Sequence, residues 1–397
     1  MLLFQDSALF RNAKSGLARS GSSIDSAVQI IVGSESVPKA VRYLLIGSTE
    51  AYSGKSATVL GIAHQLKAKG LDLGYGKPLG TCWSKDASGI EEDVQFVADV
   101  LHLPTDRLQP TILALDEPTI QKRIRGDDRV DYPKALKKYL QMRGPDLVLL
   151  EGPANLEEGS LFDLSLRQVA EGVNARILLV ARFHSLLIIG ALISARRRLG
   201  DRLLGVLIND IPEDRFEEVK TTVQPYLEER GIPIFGLLPR SALLRSVSVG
   251  ELVNQLKAEV LCRADRLDLM VESLSIGAMN VNSALKYFRK GRNMAVVTGG
   301  DRTDIQLAAL ETSTQCLILT GQMPPSPDIL SRAEDLEIPI LSVDLDTLST
   351  VEIVDRAFGQ VRVNEPVKVE YICNSMAENF DSDRLMTELG LEPAVTA

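Results

Sequence analysis

The chain has 397 residues, 45% hydrophobic and 24% charged, with 44 Lys+Arg against 53 Asp+Glu and a net charge of -9. This is the composition of a folded globular protein, long enough at roughly 150 residues per domain for two or three domains, and not of a disordered or disulfide-dependent chain. An acidic balance without a long Lys/Arg run argues against nucleic acid as a partner, which requires clustered positive charge.

Residues 1–39 are Ser-rich and weakly patterned, with Arg11, Lys14 and Arg19 but no apolar core of a signal peptide, and they read as a disordered extension. From Val41 onward, apolar runs at Val41–Gly47, Leu147–Glu151, Ile177–Ala181, Leu203–Asn209 and Ile234–Leu237 alternate with amphipathic stretches. The stretches are Lys55–Lys69, Glu92–Leu101, Tyr132–Met142, His184–Leu199 and Asp214–Glu229. That alternation predicts an α/β domain over residues 40–245, with a mostly parallel sheet covered by helices on both faces.

A smaller α/β unit is predicted over residues 246–364. Its strands are Ala295–Thr298, Cys316–Thr320 and Ile338–Val343, and its helices are Thr303–Glu311, Pro327–Asp335 and Thr347–Phe358. Residues 365–397 read as a tail, with a short helix at Arg384–Leu391. No apolar run reaches the roughly 18 residues that span a bilayer, so no membrane association is expected. Cys82, Cys262, Cys316 and Cys373 form no CxxC pair, as suits reduced cytoplasmic thiols. Three histidines, His64, His102 and His184, are too few and too scattered for an imidazole-based metal cluster.

The sharpest motif is Gly47-Ser48-Thr49-Glu50-Ala51-Tyr52-Ser53-Gly54-Lys55-Ser56, placed between an apolar strand and an amphipathic helix. Backbone N–H groups at a helix start face phosphate oxygens, and the helix dipole adds about half a positive charge. Gly54 permits close approach, Lys55 supplies a cation for the β- and γ-phosphates, and Ser56 can ligate Mg²⁺. Thr49 stands where the common GxxxxGK[ST] pattern has its first glycine, and Gly47 lies two residues earlier. The loop lacks the second lysine of partition-type ATPases, which argues against that class.

These segments resemble the dethiobiotin-synthetase-like P-loop proteins, in particular the amino-terminal region of long phosphate acetyltransferases. The likeness extends to Gly76-Lys77-Pro78-Leu79-Gly80, Ile90-Glu91-Glu92-Asp93-Val94, Glu151-Gly152-Pro153-Ala154, Leu204–Asn209 and Pro233–Pro239. Further on, Gly277-Ala278-Met279 followed by Val296–Asp304 is similar to the DRTGG domain, a presumed regulatory module. The resemblance implies ATP and Mg²⁺ as cofactors. Gly47, Thr49, Ser53, Gly54, Lys55, Ser56 and Ala57 would bind the nucleotide's phosphates, and Asn209 its adenine edge. Ser56, Asp93 and Glu151 would hold the metal, and Lys55 and Lys77 would neutralise the reacting phosphate or a substrate carboxylate.

Read from the residues alone, Asp93 can instead cap its helix, Lys77 can be an exposed turn lysine, and Asn209 can open a turn. Trp83 can wall a substrate pocket or pack in the core. Gly299, Gly300, Asp301 and Arg302 form a glycine-rich turn into a helix. It is either a structural turn capped by Asp301 or Thr303, or an anion or nucleotide nest for an unknown regulatory small molecule.

Two functions follow. The first is a nucleotide-binding regulatory or ligand-sensing protein. The second is an ATP-dependent ligase of the dethiobiotin synthetase type, acting on a small carboxylate or carbamate. No acetyltransferase catalytic region is recognisable, so acetyl-phosphate chemistry is not expected, and a cobyrinate-amidating enzyme lacks its glutaminase residues. The resembling families commonly self-associate, so a homo-oligomer is expected.

Overall fold

In the computed structural model, which describes residues 42–80, 91–359, 363 and 365–393, the apolar runs of the first half line up side by side in one sheet. Its strands are β1 (Arg42–Ser48), β2 (Leu73–Gly76), β3 (Leu108–Gln109), β4 (Leu147–Glu151), β5 (Arg176–Arg182), β6 (Leu203–Ile211) and β7 (Ile234–Pro239). Their order is β3-β2-β4-β1-β5-β6-β7, and every pairing is parallel. Central parallel strands are covered on both faces, so they read as unbroken apolar runs instead of alternating ones. The five residues of β4 are accordingly all buried. Register sets Ile46 of β1 beside Glu151 of β4 and Leu178 of β5, so the loop after β1 and the carboxylate of Glu151 emerge at one edge of the sheet.

Helices α1 (Lys55–Ala68), α2 (Glu92–Val100) and α3 (Ile188–Leu199) flank this sheet. Two predicted helices are interrupted. Tyr132–Leu136 is α-helical but continues as a 3₁₀ turn over Lys137–Gln141. Between Glu213 and Glu228 a π turn at Val219–Val223 precedes Pro225, whose ring and missing N–H a regular helix does not accommodate.

The second sheet contains β8 (Glu259–Cys262), β9 (Ser273–Ile276), β10 (Met294–Gly299), β11 (Thr314–Thr320) and β12 (Ile340–Val343), in the order β8-β12-β11-β10-β9. Strands β9 to β12 are parallel, while β8 runs antiparallel to β12. Around it lie α4 (Val249–Leu256), α5 (Val281–Phe288), α6 (Thr303–Leu310), α7 (Pro327–Asp335) and α8 (Thr347–Gly359). The sequence pattern shows the three inner strands. It misses the edges β8 and β9, which are mostly half-exposed and of mixed polarity.

The expectation of a tail is corrected by the segment after Glu365, which forms α9 (Pro366–Asn379) and α10 (Ser382–Leu389) and returns to the first sheet. Ile372, Met376, Phe380, Leu385 and Met386 share one core with Leu44, Ile46, Val59 and Ile62. A Cβ on Gly61 of α1 would lie 2.4 Å from Met376 Cγ, so the glycine allows α9 to approach α1. Phe380 bridges antiparallel to Gly236 of β7, and its ring stacks on Phe235 with centroids 6.3 Å apart. Buried Lys368 donates to Ser246 O at 2.8 Å and pairs with Glu365 at 3.0 Å. The residues before Arg42, Trp83 and Cys82 lie outside the described residues. Among the described cysteines, Cys262 and Cys316 are buried free thiols, and burial pushes both upward from the usual thiol pKa.

Leu385 is fully buried, and truncating such a leucine to alanine removes its transfer free energy and leaves a cavity. We expect Leu385→Ala to cost about 2–5 kcal/mol in urea unfolding of the full chain. A loosely attached tail would leave the midpoint unchanged.

Candidate functional site

Strand β1 carries the chain to the carboxyl edge of the sheet, where ligands bind in open α/β folds. The chain then turns through Ser53 and Gly54 into α1. Gly54 has φ +101°, the left-handed conformation glycine adopts without strain, and no side chain caps the helix start. A Cβ at Gly54 would also meet Asn209 Nδ2 at 2.5 Å. The Asn209 amide donates to Ser53 O at 2.8 Å, and its Oδ1 accepts from Asp210 N at 2.8 Å. Asn209 therefore braces the loop, and it also lines the cavity above the sheet edge.

Ser53, Gly54, Lys55, Ser56 and Ala57 line a cavity of about 410 Å³ above the sheet edge. Gly47 and Thr49 are not among its lining residues. A Cβ on Gly47 would sit 2.5 Å from Leu166 Cδ2, so this glycine admits the leucine, while the N–H of Thr49 points to Val180 O at 3.4 Å. Ser53 Oγ is buried and has no hydrogen-bond partner among the described residues. An uncapped helix start with a buried, unpaired hydroxyl beside it is a set of donors without acceptors, which suits an anion.

Lys55 Nζ lies 3.3 Å from Ser48 Oγ. Burial, the largest influence, lowers its pKa from the usual lysine value; Glu151 and Glu158 oppose this, and Lys77 adds to it. Ser56 Oγ donates to Glu151 Oε1 at 3.0 Å, and the hydroxyl of buried Tyr75 donates to Glu151 Oε2 at 3.2 Å. Burial, reinforced by Glu151, holds the Tyr75 phenol well above its ordinary pKa.

Lys77 is buried, which sets aside the exposed-turn reading, and its ammonium donates to Glu91 Oε1 at 3.2 Å and Asp93 Oδ2 at 3.0 Å. Burial is the largest single influence and lowers its pKa. The charges of Glu151, Asp93 and Glu91 together outweigh it and raise Lys77 above an ordinary lysine. Asp93 does not cap α2, whose N-cap residue is Glu91.

Sequence reasoning missed Glu91, Tyr75, Glu158 and the pair Arg182–Asp210. Glu91 stood in an acidic run whose third acid drew attention; Gly80 marks its place, since a Cβ there would meet Glu91 Oε2 at 2.5 Å. Asp210, at φ +60°, accepts from Arg182 Nε at 2.9 Å and Arg240 Nε at 3.0 Å. Only the Asn-Asp pair ending the strand hinted at it.

Ser56, Asp93 and Glu151 all line the cavity. These are hard oxygen donors of the kind Mg²⁺ takes, with phosphate oxygens and water completing its shell. Among the described residues no group of three or more His, Cys, Asp or Glu could hold a metal ion alone. The donor set therefore fits a cation that arrives with a phosphate ligand.

The second glycine-rich turn is differently arranged. Gly300 N donates to Thr320 O at 3.1 Å and Arg302 N to Gly299 O at 3.1 Å, so these two amides do not form an open nest. Arg302 is bonded to Asp304 at 3.0 and 3.2 Å and to Met279 O at 3.0 Å. Neither Asp301 nor Thr303 caps α6, whose N-cap residue is Arg302 with no side-chain bond. Buried Gln306 instead donates to the carbonyls of Gly299 and Gly300, both at 3.0 Å, and its Oε1 has no hydrogen-bond partner among the described residues.

Removing Lys77 takes away the buried cation that Glu91 and Asp93 share, and breaking a buried ion pair costs about 3–5 kcal/mol. We expect Lys77→Met to lose stability of that order in urea unfolding. The double variant Lys77→Met/Glu91→Leu, which removes the more buried carboxylate as well, is expected to recover most of the loss.

The AAA domain family matches residues 42–248, just over half of the chain, and the DRTGG domain family matches residues 251–357. A phosphate acetyltransferase of Synechocystis sp. is 26% identical over 373 residues, covering 87% of this chain and 51% of that protein. The phosphate acetyltransferase of Nitratidesulfovibrio vulgaris is 24% identical over 374 residues with the same coverage of 87% and 51%. The chain thus spans about half the length of these relatives. A solved structure of the CBS and DRTGG domains of the regulatory region of Clostridium perfringens pyrophosphatase, complexed with its activator diadenosine tetraphosphate, aligns with 43% of this chain and 85% of its own. Its TM-score is 0.27 and its identity 15%. The strand–loop–helix geometry around Lys55 and the family matches on either side of residue 250 lead to one conclusion: the chain belongs to the AAA-domain family, of dethiobiotin-synthetase-like P-loop type, and carries a DRTGG domain behind it.

Proposed function

We propose that this chain binds ATP with Mg²⁺ at the loop Ser53–Ala57 and uses the bound nucleotide for regulation, its DRTGG domain serving as the sensing partner. The observation that carries the reading is the uncapped start of α1, with Lys55 and the Ser56–Glu151 pair opening into one cavity. The cavity volume falls in the range of small-molecule sites. The ligase reading has less support, because the Lys77 ammonium that would meet a substrate carboxylate is already engaged by Glu91 and Asp93. The regulatory ligand is proposed to act at the turn Gly299–Arg302, where it would have to compete with Asp304 for Arg302.

Calorimetry with ATP and Mg²⁺ tests the reading. Loss of one charged hydrogen-bonding group corresponds to roughly ten- to a hundredfold in affinity, and Lys55→Ala is expected to lose that much. Binding that is absent, or unchanged in the variant, rejects the nucleotide site. Release of ADP that depends on diaminopelargonate and bicarbonate, with a cyclised product, rejects the regulatory role in favour of the ligase.

A pH dependence follows from Lys55. Burial lowers its pKa in the free protein, whereas a bound triphosphate favours the charged ammonium and raises it. Binding therefore takes up protons as the pH approaches the free-state value, and affinity falls as pH rises through it. Titrations in buffers of different ionisation enthalpy measure that uptake, and none at alkaline pH would contradict the assignment.

A further inference from the structure

The cavity has a wall that the phosphate-loop motif does not explain. The end of β7 contributes Pro239, the chain just beyond it contributes Leu244 and Arg245, and more than a hundred residues later α8 contributes Phe358. Phe358 also packs, partly buried, against the second domain's core, whose buried members include Val249, Ile318 and Val354. One aromatic ring thus belongs to the DRTGG-side core and to the cavity of the P-loop domain.

We infer that Phe358 is a base-binding residue of the nucleotide site, so that the two domains hold one nucleotide between them. This rests on the proposed ATP site and names the part of it that reads the base. Apolar side chains, an aromatic face and a guanidinium offer stacking and cation–π surfaces, which suit a flat heterocycle and not a phosphate. The position agrees: β7 lies three strands from β1 in the sheet, roughly 14 Å at about 4.8 Å per strand. That span is comparable to the reach of an extended nucleoside triphosphate whose phosphates sit at the start of α1.

Helix α8 also has a second attachment. Its first residue, Thr347, has its hydroxyl 3.0 Å from that of Thr320, and Thr320 O accepts the N–H of Gly300 in the glycine-rich turn. The same helix therefore joins the turn at one end to the cavity at the other.

Titration of the full chain with ATP and with inorganic tripolyphosphate, both with Mg²⁺, separates base binding from phosphate binding. Stacking on one aromatic side chain corresponds to roughly tenfold in affinity. Phe358→Ala and the volume-conserving Phe358→Leu are expected to bind ATP about tenfold more weakly and tripolyphosphate as wild type does, with Phe358→Tyr restoring ATP. A purely structural role would weaken both ligands alike. That result, or unchanged ATP binding in the Ala and Leu variants, overturns the inference while leaving the ATP site standing. Wild-type protein that binds neither ligand overturns the nucleotide reading, and this inference with it.

Discussion

The carboxylate of Glu151 is the charge around which the carboxyl edge of the first sheet is arranged. It ends a fully buried strand with 5% of its surface exposed, and a carboxylate withdrawn from water costs several kcal/mol unless it is compensated. Ser56 and Tyr75 each supply one of its oxygens with a hydrogen bond. Lys55 and Lys77 add Coulombic attraction from two sides. Ser56 is the second residue of α1 and Tyr75 lies in β2, so satisfying one acid fixes the helix start and a neighbouring strand relative to β4. The geometry of the loop is a consequence of that constraint as much as of its own glycine.

The same accounting supports the proposed divalent cation. Taking formal charges, Lys55 and Lys77 bring two positive units, while Glu151, Glu91 and Asp93 bring three negative ones. Among these described residues one negative unit is in excess and Glu158 adds to it, while Arg182 and Arg245 line the same cavity. A polyphosphate entering beside Glu151 and Asp93 would meet their negative charge unless a counterion came with it. Oxygen donors at Ser56, Glu151 and Asp93 are what a hard cation prefers, and its two charges would offset that negative charge. The overall acidity of the chain is compatible with an anionic ligand because the field that matters is set within a few ångströms of Lys55.

The parts of the fold legible in the sequence are those where burial is complete. β1, β4, β5 and β6 read as apolar runs because both faces are covered. β2 did not, because Gly74 and Gly76 leave it only two large residues; a Cβ on Gly76 would lie 2.5 Å from Gln109 Cβ, so close strand packing replaced the apolar signal. The phosphate loop was legible because its chemistry depends on local spacing. Glu91, Tyr75 and Asp210 were not, because their roles arise from contacts between segments far apart in the chain. Asn209 shows the limit in another way: its position at a strand end was readable, but whether its amide faces a base or the loop depends on the position of Ser53 O. The returning helices were obscured by composition, since α9 places Ile372 and Met376 on a helix otherwise rich in polar residues and reads as a surface segment until Gly61 is seen to admit it.

Those returning helices alter how the two domains are joined. The core containing Leu44 and Ile46 is completed by Phe380, Leu385 and Met386, so the second domain is held by two covalent connections within the first, one leaving after β7 and one returning before α9. Leu244 and Arg245 on the outgoing connection and Val363 on the returning one all line the cavity above Lys55. A domain attached by a single linker can reorient without disturbing its neighbour's ligand site. Here any rotation of the second sheet relative to the first must move both connections, and both pass the same cavity. A ligand in that cavity therefore lies against residues of both connections as well as against the phosphate loop.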